Sequence, residues 1–252
     1  MNVQHTRTGY LYALSLGTGL LVWELVAGQF SRVVLSPPSA VVTHLYLHTR
    51  SLELPTLLFY SLGHTLLGYA LAVAVGVPIG FLMGRSERAF VMFDPVVNAL
   101  YSIPTVAFVP FVVVWFGLFF QARTALVFVM CVFDIMVTVT AGARNVERSL
   151  IDVGRSFGAS RAMLFRKVLL PASLPFLFTA LRIGMVRAVV AMITAELFFA
   201  AVNLGKYMQA AANRFDSAGL LAVLTILAVL GLLAQEGLKA LEARLLPWHV
   251  RH

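Results

Sequence analysis

Charged side chains inside long apolar runs are the first candidates for chemistry in this sequence. Asp134 lies near the middle of one run, and Arg187 and Glu196 lie in another. An ionised group at the centre of a lipid bilayer costs about 2.5–3.5 kcal/mol on insertion scales, so such groups are usually paired or face water. We expect Arg187 either to pair with Asp134 across two helices or to contact a solute, and the sequence does not separate these alternatives. All three residues are candidates for a translocation pathway.

Other polar residues match no catalytic, nucleotide or metal motif. Gly205-Lys206 is the only Gly-Lys pair, and it lacks the flanking residues of a phosphate-binding loop. His44 and His48 have the i, i+4 spacing of a metal pair, but HLYLH lacks the glutamate of a zincin motif. An interfacial helix with two unrelated histidines is the better interpretation, and the lone Cys131 excludes an intrachain disulfide. We predict no bound metal, no cofactor and no enzyme activity, so any driven transport must take its energy from a partner.

Composition indicates which elements position these residues. The 252-residue chain is 60% hydrophobic and 12% charged, with a mean hydropathy of +0.88, whereas soluble domains are about 25% charged. An apolar helix needs about 20 residues to cross a hydrocarbon layer of about 30 Å. Six runs are close to that length or longer: about 10–27, 57–84, 96–120, 125–143, 176–200 and 218–234. We predict an all-α polytopic membrane protein in which residues 1–252 form a single domain with six transmembrane helices.

Two of the runs carry patterns that predict their packing. Small residues recur at every fourth position of the second run: Gly68, Ala72, Gly76, Gly80 and Gly84. Because positions four apart share one helix face, this stripe lets a neighbouring helix approach closely. The third run contains Pro104 and Pro110, which predict kinks or a pathway lining where the freed carbonyl groups find other partners.

Basic residues are unevenly distributed between the two sides that six spans would define. The side bearing both termini and the loop 144–175 carries twelve of them, and the other side carries five. The twelve are Arg7, Arg85, Arg88, Arg144, Arg148, Arg155, Arg161, Arg166, Lys167, Lys239, Arg244 and Arg251, and the five are Arg32, Arg50, Arg123, Lys206 and Arg214. Because lysine and arginine concentrate in cytoplasmic loops, we predict that both termini and this loop are cytoplasmic. The net charge of +8 is therefore an orientation signal and does not indicate nucleic-acid binding.

The loop 144–175 is polar, and it carries six of the nineteen basic residues. Its pattern predicts two short helices, 149–157 and 160–168, separated by Gly158, where glycine permits a sharp turn. Ser160 is a candidate cap for the second helix. The apolar Phe157 and Met163 lie among basic residues, an arrangement that suits docking into a groove on another protein. An amphipathic helix on the membrane surface fits the same composition equally well.

The stretch DVGRSFGASRAMLFRKVLLPASLP resembles the EAA loop of ABC importer permeases of the binding-protein-dependent class. That pattern maps here to Asp152-Val153-Gly154, then Gly158, Val168 and Leu170-Pro171. The spacing of the glycine and of Leu-Pro matches fully, and Asp-Val-Gly replaces the E-A-A triplet. IPTVAFVPFVVVWFG, LRIGMVRAVVAMITAEL, NLGKYM and RLLPWH are similar to the nitrate, sulfonate and taurine permease subfamily.

The resemblance implies a homodimeric permease of the bacterial inner membrane that works with two P-loop ATPase subunits and an extracytoplasmic solute-binding protein. It implies a cargo such as sulfonate, taurine, nitrate or a related organic acid. It assigns coupling to the ATPase to residues of the loop: Asp152, Gly154, Phe157, Gly158, Ala159, Ser160, Leu170 and Pro171. The alternative function is a self-sufficient secondary transporter or channel that uses Asp134, Arg187 and Glu196 as an ion relay.

Overall fold

A computed structural model describes residues 2–199 and 202–247, and within these ranges the chain contains helices and no strand. The α-helices are α1 (Asn2–Ala27), α2 (Pro38–Arg50), α3 (Glu53–Arg85), α4 (Glu87–Tyr101), α5 (Val109–Phe116), α6 (Phe120–Arg144), α7 (Arg148–Ser156), α8 (Arg161–Leu164), α9 (Leu170–Phe198), α10 (Asn203–Asn213) and α11 (Ser217–Leu245). A 3₁₀ turn, Thr105–Phe108, precedes α5, and a π-helical turn, Phe165–Leu169, joins α8 to α9. Arg251 and the end of the RLLPWH stretch lie outside the described ranges.

Five helices of the described chain are long and apolar enough to cross a membrane, and a sharply bent pair of helices makes a sixth span if the pair is counted as one. The five are the Tyr10–Ala27 part of α1, then α3, α6, the continuous helix Ala162–Phe198, and α11. The bent pair consists of α4 and Thr105–Phe116, which meet at an angle of 91°, the geometry of a broken span or of a re-entrant loop. The predicted all-α polytopic fold is therefore confirmed.

The predicted third run, 96–120, differs most from the structure. Its first residues belong to α4, which begins at Glu87 and ends at Tyr101. Pro104 has no N–H to donate and disfavours helical backbone at the residue before it, so the helix stops there. Pro110 lies in the first turn of α5, where a missing N–H costs nothing. The run is thus two helices with a sharp bend rather than one kinked helix.

The other helices extend beyond the predicted apolar runs. α3 begins at Glu53 and α11 continues to Leu245, well past the run that ends at residue 234. The second helix predicted in the loop is continuous with the following span, so the polar break between α6 and α9 is shorter than 144–175. Hydropathy marks where a helix is apolar, but good helix formers such as the Lys239-Ala240-Leu241 stretch prolong it into water.

Helix α6 forms the centre of the bundle, packed between α3 and α9. Leu126 and Ile135 on α6 are completely buried. A Cβ added to Gly68 would lie 2.7 Å from the Thr124 carbonyl oxygen, and one added to Gly80 would lie 2.8 Å from the Met136 carbonyl oxygen. The small-residue stripe of α3 is therefore the face that packs against α6, as its spacing predicts.

Candidate functional site

The loop between α6 and α9 turns at Gly158, which has a φ of +72°. The Gly158 N–H donates to the Arg155 carbonyl at 2.8 Å, and the Ala159 N–H donates to the Gly154 carbonyl at 3.1 Å. A glycine with positive φ just after a helix is a common way to end it, because glycine has no Cβ to strain. The Ser160 hydroxyl then accepts from the Met163 N–H at 3.3 Å and caps the next helix.

Helix α7 packs one face against α8 and the π-helical turn and leaves the other exposed. Gly154 faces inward, where an added Cβ would lie 2.6 Å from Leu164 Cδ2. Phe157, at the end of α7, is 87% exposed. Asp152 and Arg155 are also exposed and lie 3.5 Å apart, which is a weak surface ion pair. The loop thus presents an exposed aromatic ring on the same segment as an exposed ion pair.

The loop is attached to the ends of four helices. Arg144, at the end of α6, donates to Glu87 of α4 at 3.1 Å, and its guanidinium lies 3.9 Å from the centre of the Phe90 ring. The Phe165 ring meets Phe81 of α3 edge to face, with 6.3 Å between centroids. A groove of about 1060 Å³ beside them is lined by Ala159, Leu170 and other apolar residues, together with Arg85 and Arg155. A force on the loop would therefore reach α3, α4, α6 and α9.

A second candidate region lies at mid-bundle, where Arg187 Nε is 3.0 Å from Asp134 Oδ2. The Asp134 side chain is only 9% exposed, whereas that of Arg187 is 50% exposed. Both line a cleft of about 350 Å³ together with Tyr101, Ser102 and Thr105. These last three residues were missed from sequence, although a polar Tyr-Ser pair just before Pro104 in an apolar run is a signal of a solvated break.

Glu196 does not join this pair. It lies nine residues after Arg187 on α9, which is about 13.5 Å along the axis and on the opposite face at about 100° per residue. Its carboxylate accepts from the Asn203 side chain and from the Gly205 N–H, both at 3.0 Å. The structure therefore brings together two of the three candidate pathway residues and places the third in a separate cluster.

His44 and His48 interact with each other and with two other helices. Their rings stack 4.2 Å apart, the His44 Nε2 lies 2.6 Å from the Tyr207 hydroxyl of α10, and the His48 Nδ1 lies 2.7 Å from Glu53 of α3. Partial burial lowers the pKa of His44, with a further lowering from His48. Burial also raises the pKa of Tyr207 to about 12. The sequence indicates two histidines that are unrelated to each other. In the structure their rings stack, and together they connect α2 to α3 and α10.

Comparisons with known proteins agree with this architecture. The family described as "Binding-protein-dependent transport system inner membrane component" matches residues 76–247. The taurine transport system permease protein TauC of Escherichia coli (strain K12) is 32% identical, over 94% of this chain and 90% of that protein. The nitrate import permease protein NrtB of Synechocystis sp. (strain PCC 6803) is 26% identical, over 80% of this chain and 76% of that protein.

Solved structures share the fold. An inward-facing structure of the MetNI methionine ABC transporter aligns with a TM-score of 0.67, covering 77% of this chain and 96% of that chain at 23% identity. An amino acid ABC transporter aligns with a TM-score of 0.64 at 19% identity, covering 79% of this chain and 97% of that chain. Together with the family match over residues 76–247, these findings show that the chain is a multi-pass inner-membrane protein and belongs to the family of binding-protein-dependent transport system inner membrane components.

Proposed function

We propose that this chain is the membrane-spanning subunit of an ATP-driven importer that carries a small anion, such as a sulfonate, taurine, nitrate or a related organic acid, from an extracytoplasmic binding protein. The exposed loop with Phe157 and Gly158, attached to the ends of four helices, is the observation that carries this proposal. The similarity to taurine and nitrate permeases supports the class of solute.

The loop is the docking site for a P-loop ATPase in this proposal. Phe157 enters a groove on the ATPase, Asp152 and Arg155 surround it, and Gly158 provides the turn that exposes it. Leu170 and Pro171 start α9 next to the loop, so a displacement of the loop passes directly into a membrane-spanning helix. Both termini and the loop are on the cytoplasmic side, in agreement with the distribution of basic residues.

The pathway lies between two copies of the chain and includes the cleft beside Arg187. Half of the Arg187 side chain is exposed although it lies in the middle of an apolar helix. An arginine in that position is costly next to lipid, so a water-filled pathway lined by a second copy explains its exposure. Asp134 holds the guanidinium, and its remaining N–H groups are donors for an anionic solute.

Reconstitution into vesicles tests the proposal. The chain, a candidate ATPase and a loaded binding protein are expected to take up solute only when ATP is present, and the chain alone is expected to take up none. We expect Gly158→Arg to reduce uptake at least about tenfold, since arginine strains the positive φ and changes the docking surface. Gly237→Arg is the matched control, because the described residues leave open space around this exposed glycine of α11.

Two results would contradict the proposal. Uptake by the chain alone, driven by an ion gradient, would favour a self-sufficient transporter. Normal ATP-driven uptake by Gly158→Arg would exclude the loop as the coupling element.

A further inference from the structure

A fully buried carboxylate lies at the end of the bundle opposite the loop, and the transport proposal does not use it. Glu196, near the end of α9, is 0% exposed. It accepts from the Asn203 side chain and the Gly205 N–H, each at 3.0 Å. Asn203 and Gly205 are in the first turn of α10, where a negative charge is favoured by the helix dipole and by free N–H groups. Glu196 therefore caps a helix that follows its own.

The contact between Glu196 and α10 leaves no space for another side chain. A Cβ added to Gly205 would lie 2.5 Å from Glu196 Cβ and 2.8 Å from the Glu196 carbonyl oxygen. The neighbouring Leu204 and Phe199 are completely buried. His64 of α3 is also buried, with its Nε2 3.9 Å from Glu196 Oε1. The start of α10 is thus enclosed by α9 and α3.

Helix α9 connects the contact between Glu196 and α10 to the loop at Gly158 and to the cleft beside Arg187. The helix Ala162–Phe198 is continuous over 37 residues, or about 55 Å at 1.5 Å per residue. It begins just after the turn at Gly158, carries Arg187 about two thirds of the way along and ends two residues after Glu196. A continuous helix of this length can transmit a displacement from one end to the other.

We propose that Glu196 is a positioning residue that fastens α10 to α9, so that α10 moves together with the helix that carries Arg187 and starts at the coupling loop. This inference rests on the proposed function, since it requires the loop to move α9. Tyr207 on α10 contacts His44 of α2, so the motion extends to the other helix at this end of the bundle. A binding protein docked at this end would then sense the state of the ATPase through α9 and α10.

The test uses the complete complex in vesicles and measures ATP hydrolysis with and without the loaded binding protein. Glu196→Gln keeps the shape but replaces one acceptor by a donor, and Asn203→Gly removes the amide while tolerating the φ of +50°. We expect both to lower the ratio of stimulated to basal hydrolysis about fivefold or more. Glu236→Gln is the control, because this exposed carboxylate pairs only with the nearby Lys239 on α11 among the described residues. It is expected to keep the wild-type ratio.

A second measurement applies even if a variant does not assemble with its partners. Amide hydrogen exchange of the purified chain in detergent is expected to be about tenfold faster in the first turn of α10 in Glu196→Gln, with the middle of α9 unchanged. Unchanged exchange in α10 would overturn the inference, and so would a wild-type stimulation ratio in both variants. If the wild-type complex itself shows no ATP-driven uptake, the proposed function fails, and the exchange measurement still decides whether Glu196 fastens α10.

Discussion

Two glycines near opposite ends of the α8–α9 helix differ in what surrounds them. A Cβ added to Gly158 would meet nothing within 4 Å among the described residues, whereas one added to Gly205 would lie 2.5 Å from Glu196 Cβ. Gly158 lies on an open surface directly after the exposed Phe157, and Gly205 closes a contact within the chain. The open surroundings of Gly158 leave space for a partner protein. The close contact at Gly205 fixes the position of α10 within the chain.

Two charged clusters of α9, those of Arg187 and of Glu196, differ in the same way. Arg187 is half exposed beside its partner Asp134, while Glu196 is fully buried and accepts hydrogen bonds from Asn203 and Gly205. Burying a charge without access to water makes sense for a structural contact whose hydrogen bonds are satisfied. A half-exposed arginine that lines a cleft is suited to contact a solute. The following variants test this difference between open and closed sites.

The largest effect is expected at the closed glycine. Gly205→Ala should destabilise the purified chain by about 1–3 kcal/mol, since the added carbon overlaps the Glu196 backbone. Gly237→Ala is the control, because the described residues leave its surroundings open and alanine favours a helix by up to about 1 kcal/mol. Thermal unfolding in detergent measures both. Equal melting temperatures for the two variants would show that α10 is not tightly held.

An intermediate effect is expected at the Asp134–Arg187 pair. Arg187→Gln should lower the melting temperature because it leaves a buried carboxylate without its partner, and the double variant with Asp134→Asn should recover most of that loss. Uptake should remain reduced at least about tenfold, or about 1.4 kcal/mol, in the double variant. If the double variant also recovered uptake, the pair would be structural only.

The smallest effect is expected from pH at His44. Its pKa is lowered from the ordinary value of 6.5 chiefly by burial, so its neutral form stabilises the contact with Tyr207. That stability is fully present above pH 6.5 and is lost as the pH falls towards the lowered pKa. The melting temperature of the wild-type chain should therefore fall more on acidification than that of His44→Gln. The same slope in both would exclude His44 as the titrating group.

Features with a strict period were predictable from the sequence. The stripe from Gly68 to Gly84 identifies the packing face of α3, because close helix contact in a membrane requires small residues on one side. The turn at Gly158 and the cap at Ser160 follow from local backbone preferences. These features depend on residues that are near one another in the chain.

Features that depend on tertiary contacts were not predictable. The helix rotation that pairs Arg187 with Asp134 is set by packing against α3 and α6, and the sequence left that pairing open. From sequence, Glu196 is grouped with the pathway candidates because it is an ionisable residue in an apolar run. The sequence does not show that the partners of its carboxylate, Asn203 and Gly205, lie on the next helix. Pro104 indicated a kink, but the structure has two separate helices that meet at 91° and that both contact α6.

Binding of the ATPase to the chain tests the central claim most directly, and two exposed phenylalanines provide the matched pair. Phe157 is 87% exposed in the loop, and Phe215 is 70% exposed at the opposite end of the bundle. The affinity of the purified ATPase for the chain in detergent is expected to fall at least about tenfold in Phe157→Ser, because an exposed aromatic anchor dominates such an interface. Phe215→Ser is expected to bind like the wild type. Equal affinities for the two variants would contradict the assignment of the loop as the ATPase-docking surface.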